Sequence, residues 1–316
     1  LKRPFSAHPK SYLNLPPALT RFDGAAVALL PVPYEGAVSW GKGAAEAPDW
    51  VIEASGYLEL YDEVLKREPC RMGIVTVAPP ELPRDPEAAQ HVLYPFLRDL
   101  LDTGKLVVML GGDHSISTSF VKALHERKSP LSVIQLDAHA DLRETYEETR
   151  FSHACVMSRI REITPHTLQI GIRSMSLEEA KRVDGERIPL CTMRDFRKGA
   201  FDVKGALERL PNPVYITVDV DVFDWSVVRS TGTPEPGGLG WDEALALLET
   251  IFSMKAVAGF DVVELAKDPR DVSSPFAVAK LIYKMLGFRL AAVVGKGLTD
   301  WPDHPKGNVL GGYGLF

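Results

Sequence analysis

Leu131-Ser132-Val133-Ile134-Gln135-Leu136-Asp137-Ala138-His139-Ala140-Asp141 is the stretch on which the reading of this chain turns. Residues 131–136 form a short apolar run of buried-strand type. Side chains of an extended chain alternate between faces, so positions 137, 139 and 141 project together. A helix would turn His139 away from both aspartates. The strand reading therefore gathers two carboxylates and an imidazole on one side, a donor set that divalent cations such as Mn²⁺ accept. On this stretch alone the plainer alternative stays open: a strand end with a capping Asp and an unconnected His.

Two more apolar runs end in the same way. Residues 105–110 lead into Gly111-Gly112-Asp113-His114-Ser115, and 214–218 lead into Asp219-Val220-Asp221. Further strands are expected at 25–32, 73–77, 167–172 and 257–265, the last carrying Asp261 and Glu264. Helical spacing covers 49–54, 86–102, 116–126, 154–163, 241–253 and 277–286, with Pro95 expected to kink the second. Strands alternating with helices imply an α/β fold, with a mostly parallel sheet covered by helices on both faces. Residues 1–24 read as a Pro-rich irregular arm and 25–288 as one catalytic domain. From Arg289 a Gly-rich tail shows little periodicity, and is either flexible or docked on a neighbour.

Open parallel sheets build their sites at the carboxyl ends of strands. His114, Asp137, His139, Asp141, Asp219 and Asp221 would then meet in one crevice. Four carboxylates among six donors exceed the need of one tetrahedral ion. They suit two divalent ions about 3.5–4 Å apart, whose charge they balance. Such a pair lowers the pKa of a shared water toward neutrality, which makes hydrolysis the natural chemistry.

Composition agrees. The 316 residues are 45% hydrophobic and 25% charged, ordinary for a globular protein. A net charge of −6 argues against a general nucleic-acid binder. No apolar run reaches the roughly 18–20 residues of a membrane span. Cys70, Cys155 and Cys191 form no framework, and no signal-peptide core follows the first residues, so a cytoplasmic location is expected.

Gly-Gly-Asp-His-Ser at 111–115, Asp-Ala-His-Ala-Asp at 137–141, Ser-His-Ala-Cys at 152–155, Asp-Val-Asp at 219–221, Gly-Thr-Pro-Glu-Pro-Gly-Gly at 232–238 and Asp-Val-Val-Glu at 261–264 resemble, in order, the ureohydrolases of the arginase and agmatinase group. The resemblance spans about residues 25–288. It implies a three-layer α/β/α fold, two Mn²⁺ ions, hydrolysis of a small guanidino compound to urea and an amine, and a homo-oligomer, trimer or hexamer. It assigns His114, Asp137, Asp141 and Asp219 to one ion and Asp137, His139, Asp219 and Asp221 to the other. By the same resemblance His153 shuttles protons and Glu264 pairs with the guanidinium, while Asp141 serves as general acid–base. Read without the family, His153 is a surface histidine and Glu264 a bond to a helix N-terminus. Asp113 is expected to make backbone bonds, and Cys155 to be a packed thiol.

Residues 142–151 lack the amide and hydroxyl set with which arginases hold an amino-acid end. Glu144, Glu147 and Glu148 would suit a cationic tail instead, which favours agmatine or aminopropylagmatine. Ala140 and the Gly41-Lys42-Gly43 loop depart from the family's frequent residues and bear on substrate identity. Guanidinobutyrate or formiminoglutamate would want a basic residue at the mouth, for which Lys42, Arg143 and Arg150 are available. Two further readings compete. One is a non-catalytic metal-binding relative. The other is a P-loop, since Gly36-x-x-x-x-Gly41-Lys42 follows a strand, although Gly43 stands where a hydroxyl is needed.

Overall fold

The computed structural model of the chain describes residues 5–36 and 39–294. The strands are β1 (Val27–Val32), β2 (Ile74–Thr76), β3 (Leu106–Gly111), β4 (Ser132–Leu136), β5 (Thr167–Ile172), β6 (Leu190–Thr192), β7 (Val214–Asp219) and β8 (Val257–Val263). They make one sheet in the order β2-β1-β3-β8-β7-β4-β5-β6, and every pairing is parallel. The helices are α1 (Pro17–Thr20), α2 (Ala47–Ser55), α3 (Pro86–Leu101), α4 (Ser117–His125), α5 (Val156–Ile163), α6 (Leu177–Glu186), α7 (Met193–Lys198), α8 (Val203–Arg209), α9 (Trp241–Met254) and α10 (Ser273–Val294).

Strand alternation sorts the core into two layers. Val108 and Leu110 of β3 face Val51, Leu248 and Leu281 of α2, α9 and α10. Val107 and Met109 face Leu93, Phe120 and Met157 of α3, α4 and α5. Because β3, β4, β7 and β8 are buried on both faces, they read as continuous apolar runs, the signature of a covered parallel sheet.

Several elements differ from the sequence reading. The helix expected at 277–286 is longer at both ends and passes through Arg289 to Val294. It is buried nearly all round, so no polar stripe marks its period. Gly287 within it lets Leu65 approach, since a Cβ there would stand 2.5 Å from Leu65 Cδ1. The Gly-rich stretch from 295 lies outside the described residues. Pro95 sits inside an unbroken α3. Helices α6, α7 and α8 and strand β6 were not anticipated; the helices are short and largely polar, and β6 is three residues long. In the 1–24 stretch Tyr12 is fully buried, and its hydroxyl donates to Ala279 O at 2.6 Å, fastening the arm to α10.

Gly112 is tightly enclosed under the sheet's carboxyl edge. Its N–H donates to Val32 O at 3.0 Å and its carbonyl accepts from Glu264 N at 2.9 Å. A Cβ there would overlap the Tyr34 carbonyl oxygen, which is backbone and cannot swing aside. Gly112→Ala should therefore cost about 1–3 kcal/mol of stability, lowering the thermal midpoint of the metal-free chain by roughly 2–5 °C. Gly185→Ala, in open space on α6, should leave the midpoint unchanged or raised.

Candidate metal centre

His114 enters the site from the turn after β3. Asp113 sets that turn: its Oδ1 accepts from Ser115 N at 3.1 Å and its Oδ2 from Gly36 N at 2.9 Å, the backbone role expected of it. His114 Nδ1 lies 3.2 Å from Asp137 Oδ2, 3.1 Å from Asp141 Oδ2 and 3.4 Å from Asp219 Oδ2. None of the three is aligned as a hydrogen bond, and the atom is fully buried. On the far side of the ring, Nε2 sits 2.8 Å from Thr217 Oγ1. The Thr217 hydroxyl donates to Asp261 Oδ1 at 2.6 Å, and Asp261 also accepts from the Tyr215 hydroxyl. With Thr217's only proton given to Asp261, its oxygen accepts from Nε2–H. Nδ1 then faces three carboxylates, an arrangement that needs positive charge at that place, brought by a proton or by a cation that displaces it.

A second group adjoins the first. His139 Nδ1 lies 2.8 Å from Asp221 Oδ2 and 3.8 Å from Asp137 Oδ1. His114, Asp137 and Asp219 form one candidate metal-holding set, and Asp137, His139 and Asp221 another, each with ligand atoms within 4.8 Å of one another. Asp137 belongs to both, as a bridging carboxylate would. Oxygen and imidazole donors in these numbers fit divalent cations of the Mn²⁺ kind.

The electrostatics show what an ion would replace. Burial, with Asp141 and Asp221 close by, pushes the Asp137 carboxyl up to about 8. Burial and the neighbouring Asp221 and Asp137 raise Asp219 as well. Burial works against a charged His139, yet its bond to Asp221 lifts the ring to about 11. His114 is raised likewise, its three aspartates overcoming burial. Without an ion the cluster keeps its protons, and a cation must displace them.

The convergence was anticipated, but its geometry was not. Strand β4 stops at Leu136, so 137–141 is not a pleated continuation. It is a loop laced to the chain after β5: Asp137 N donates to Ile170 O, Arg173 N and Ser174 N to Ala138 O, and Ala140 N to Ser174 O. Asp141 reaches His114 by adopting a left-handed backbone, φ +53°. Its carbonyl accepts from Met157 N at 3.0 Å and Ser158 N at 3.3 Å, seating the start of α5.

Glu264 follows β8, also left-handed at φ +66°. Its Oε1 accepts from the His114 backbone N–H at 2.6 Å, which sets it beside the cluster. Burial, aided by Asp113, pushes its carboxyl upward. His153 is half-buried; its Nε2 lies 3.0 Å from Ser39 Oγ and its ring meets Tyr146 edge-on at 5.9 Å. Cys155 is a packed thiol, raised by burial to about 11.

Two sequence readings are corrected. Glu35 Oε2 accepts from Gly43 N at 2.7 Å and Ala45 N at 3.2 Å, and Gly41 N donates to Gly232 O at 3.1 Å, so two of the amides a P-loop would offer to phosphate are already bonded within the chain. Glu144 is tied to Arg159 at 2.8 Å and Arg150 at 3.1 Å, and is spent on bracing the 142–151 loop.

Sequence reasoning missed Arg173, Thr217 and Glu235. The Arg173 guanidinium donates to the carbonyls of Asp221 at 2.6 Å, Glu235 at 2.8 Å and Pro236 at 3.0 Å, clamping the 232–238 loop to the Asp221 turn. Thr217 shares a strand face with Asp219, a visible signal, but its pairing with Asp261 depends on the β7–β8 register.

Thr217→Val keeps the side chain's shape and removes the hydroxyl. Titration of the metal-free protein with Mn²⁺ should show one site weakened about 10- to 100-fold, and Thr217→Ser should restore it. Because both histidines retain protons, apparent affinity should also rise with pH across the neutral range, with proton release measurable in buffers of different ionisation enthalpy.

The arginase-family profile matches residues 25–287. The N(1)-aminopropylagmatine ureohydrolase of Synechocystis sp. is 39% identical over 296 residues, covering 90% of this chain and 95% of that protein. The agmatinase of Pyrococcus horikoshii is 35% identical over 261 residues, covering 82% and 90%. The crystal structure of the agmatine ureohydrolase of Thermoplasma volcanium superposes with a TM-score of 0.80 at 28% identity, covering 88% of this chain and 94% of that one. On sequence and architecture together, the chain belongs to the arginase family.

Proposed function

We propose that the protein hydrolyses a guanidino compound with a cationic tail, agmatine or N1-aminopropylagmatine, to urea and the corresponding amine. The observation that carries this reading is the buried His114 Nδ1 facing three carboxylates, with Glu264 anchored beside it. The names of the relatives support the substrate class. His114, Asp137, Asp141 and Asp219 would hold one divalent ion, and Asp137, His139, Asp219 and Asp221 the other, with Mn²⁺ the ion that suits this donor set. When bound, the pair supplies Lewis acidity and an activated water.

The chain's own residues do the rest. Glu264 accepts two N–H bonds from the guanidinium and fixes its plane. Asp141 takes the attacking water's proton and passes it to the leaving amine, and His153, half-exposed, exchanges protons with solvent. The amine is putrescine from agmatine or spermidine from aminopropylagmatine, so the reaction would serve polyamine synthesis. A cytoplasmic homo-oligomer, trimer or hexamer, completes the proposal; no helix among the described residues is long and apolar enough to cross a membrane.

A substrate ending in a carboxylate fits less well. Arg150 pairs with Glu162 at 2.6 Å as well as with Glu144, and Arg143 lies over the Tyr146 ring at 5.2 Å. The test is urea release with Mn²⁺ over agmatine, aminopropylagmatine, arginine and guanidinobutyrate. The first two should lead. No urea from any of them would leave the non-catalytic reading standing. Asp141→Asn should lower kcat by about 10²–10⁴, and turnover like that of the native chain would remove Asp141 from the proton transfer.

A further inference from the structure

The 232–238 loop passes from the side of Glu264 to the side of His139 and is pinned at both. At its start Thr231 bridges Leu265, and Ala266 N donates to Ser230 O at 2.9 Å. That pairing sets Gly232 against Glu264: a Cβ on Gly232 would stand 3.9 Å from Glu264 Oε2. At the other end Arg173 holds the carbonyls of Glu235 and Pro236. The Glu235 carboxylate, about one-third exposed, lies 3.9 Å from His139 Nε2. Among the described residues that ring is its one ion-pairing neighbour, and 3.9 Å is too long for a hydrogen bond. Glu235 therefore keeps its acceptor capacity at the solvent side of the cluster. Arg173 spends its donors on main-chain carbonyls beneath the loop and leaves the Glu235 carboxylate unbonded.

Gly232 and Glu235 are three residues apart, so the chain between them spans at most about 10 Å. A guanidinium carbon and an ammonium nitrogen joined through four methylenes lie about 7–8 Å apart when extended. The loop thus carries Glu235 within about 10 Å of the residue that lies against Glu264, the scale on which the two charges of such a dication are separated. We infer that Glu235 is a specificity-determining residue that accepts the ammonium at the far end of the substrate while Glu264 takes the guanidinium. The inference rests on the ureohydrolase reading above. Agmatine and aminopropylagmatine both carry a positive nitrogen four methylenes from the guanidinium, a primary ammonium in one and a secondary in the other. One carboxylate at this place serves both. A substrate ending in a carboxylate would meet Glu235 as a like charge.

The test compares the native protein with Glu235→Gln on agmatine and on butylguanidine, which has the same chain without the ammonium, with bound manganese counted for each. Glu235→Gln should raise the KM for agmatine roughly five- to thirtyfold, as loss of one partly exposed charged bond does. The kcat for agmatine should stay within about twofold, because the contact is made equally in ground and transition states. Butylguanidine kinetics and manganese content should not move, so the preference for agmatine collapses. Equal losses on both substrates, or loss of manganese, would show that Glu235 acts by supporting His139 and would overturn the inference. Unchanged agmatine kinetics would overturn it too. A native protein that releases no urea from either guanidine would fail at the earlier step, the proposed activity itself, and take this assignment with it.

Discussion

Four buried aspartates around two imidazoles are the constraint to which the rest of the carboxyl edge answers. Charges of one sign cannot sit this close in a dry site without compensation. The chain supplies part of it from its own donors. The N–H of His139 bonds Asp137, that of Ala138 bonds Asp221, that of Asp221 bonds Asp219, and Gln135 Nε2 bonds Asp137. Those bonds orient the carboxylates but bring no full positive charge. Protons or divalent cations must bring it, and a cation can take the proton's place at His114 Nδ1 because Thr217 and Asp261 keep a proton on the opposite nitrogen.

Such an arrangement is held under backbone strain. Asp141 and Glu264, both non-glycine, occupy the left-handed region, which side chains with a Cβ enter at a cost. Each is held there from two sides. Asp141 is fixed by its carbonyl at the α5 N-terminus, Glu264 by Gly112 and by the His114 amide. Neither position could relax without giving up bonds that also seat a helix or a strand end.

The sequence showed the parts of the fold that depend on local pattern. Apolar runs ending in Asp or His marked β3, β4 and β7 and the side on which the site lies. A mostly parallel sheet followed from their alternation with helices, and the sheet is parallel at every pairing. What escaped notice depends on register or on length. Thr217 meets Asp261 only because β7 pairs with β8 in one register, and Arg173 reaches the 232–238 loop across the chain. Helix α10 hid its extent because burial on every side erased the stripe that would have marked it. The pleat argument for 137, 139 and 141 reached the right neighbours through the wrong geometry, since the ligands are delivered by a laced loop.

The order of the sheet has a consequence for how the molecule comes into being. Among the described residues β8 is the last strand in the chain; it lies between β3 and β7 and is the strand that joins two half-sheets. His114 hangs from one half, while the donors that follow β4 and β7 belong to the other, so His114 meets them only once β8 is in place. Until residues 257–263 arrive, β3 and β7 each present an open edge of buried character to whatever is nearby. At ordinary synthesis rates the gap between β4 and β8 lasts on the order of ten seconds. Ion capture by all six donors in native geometry therefore waits for β8, and until then the edges of β3 and β7 are open to other strands.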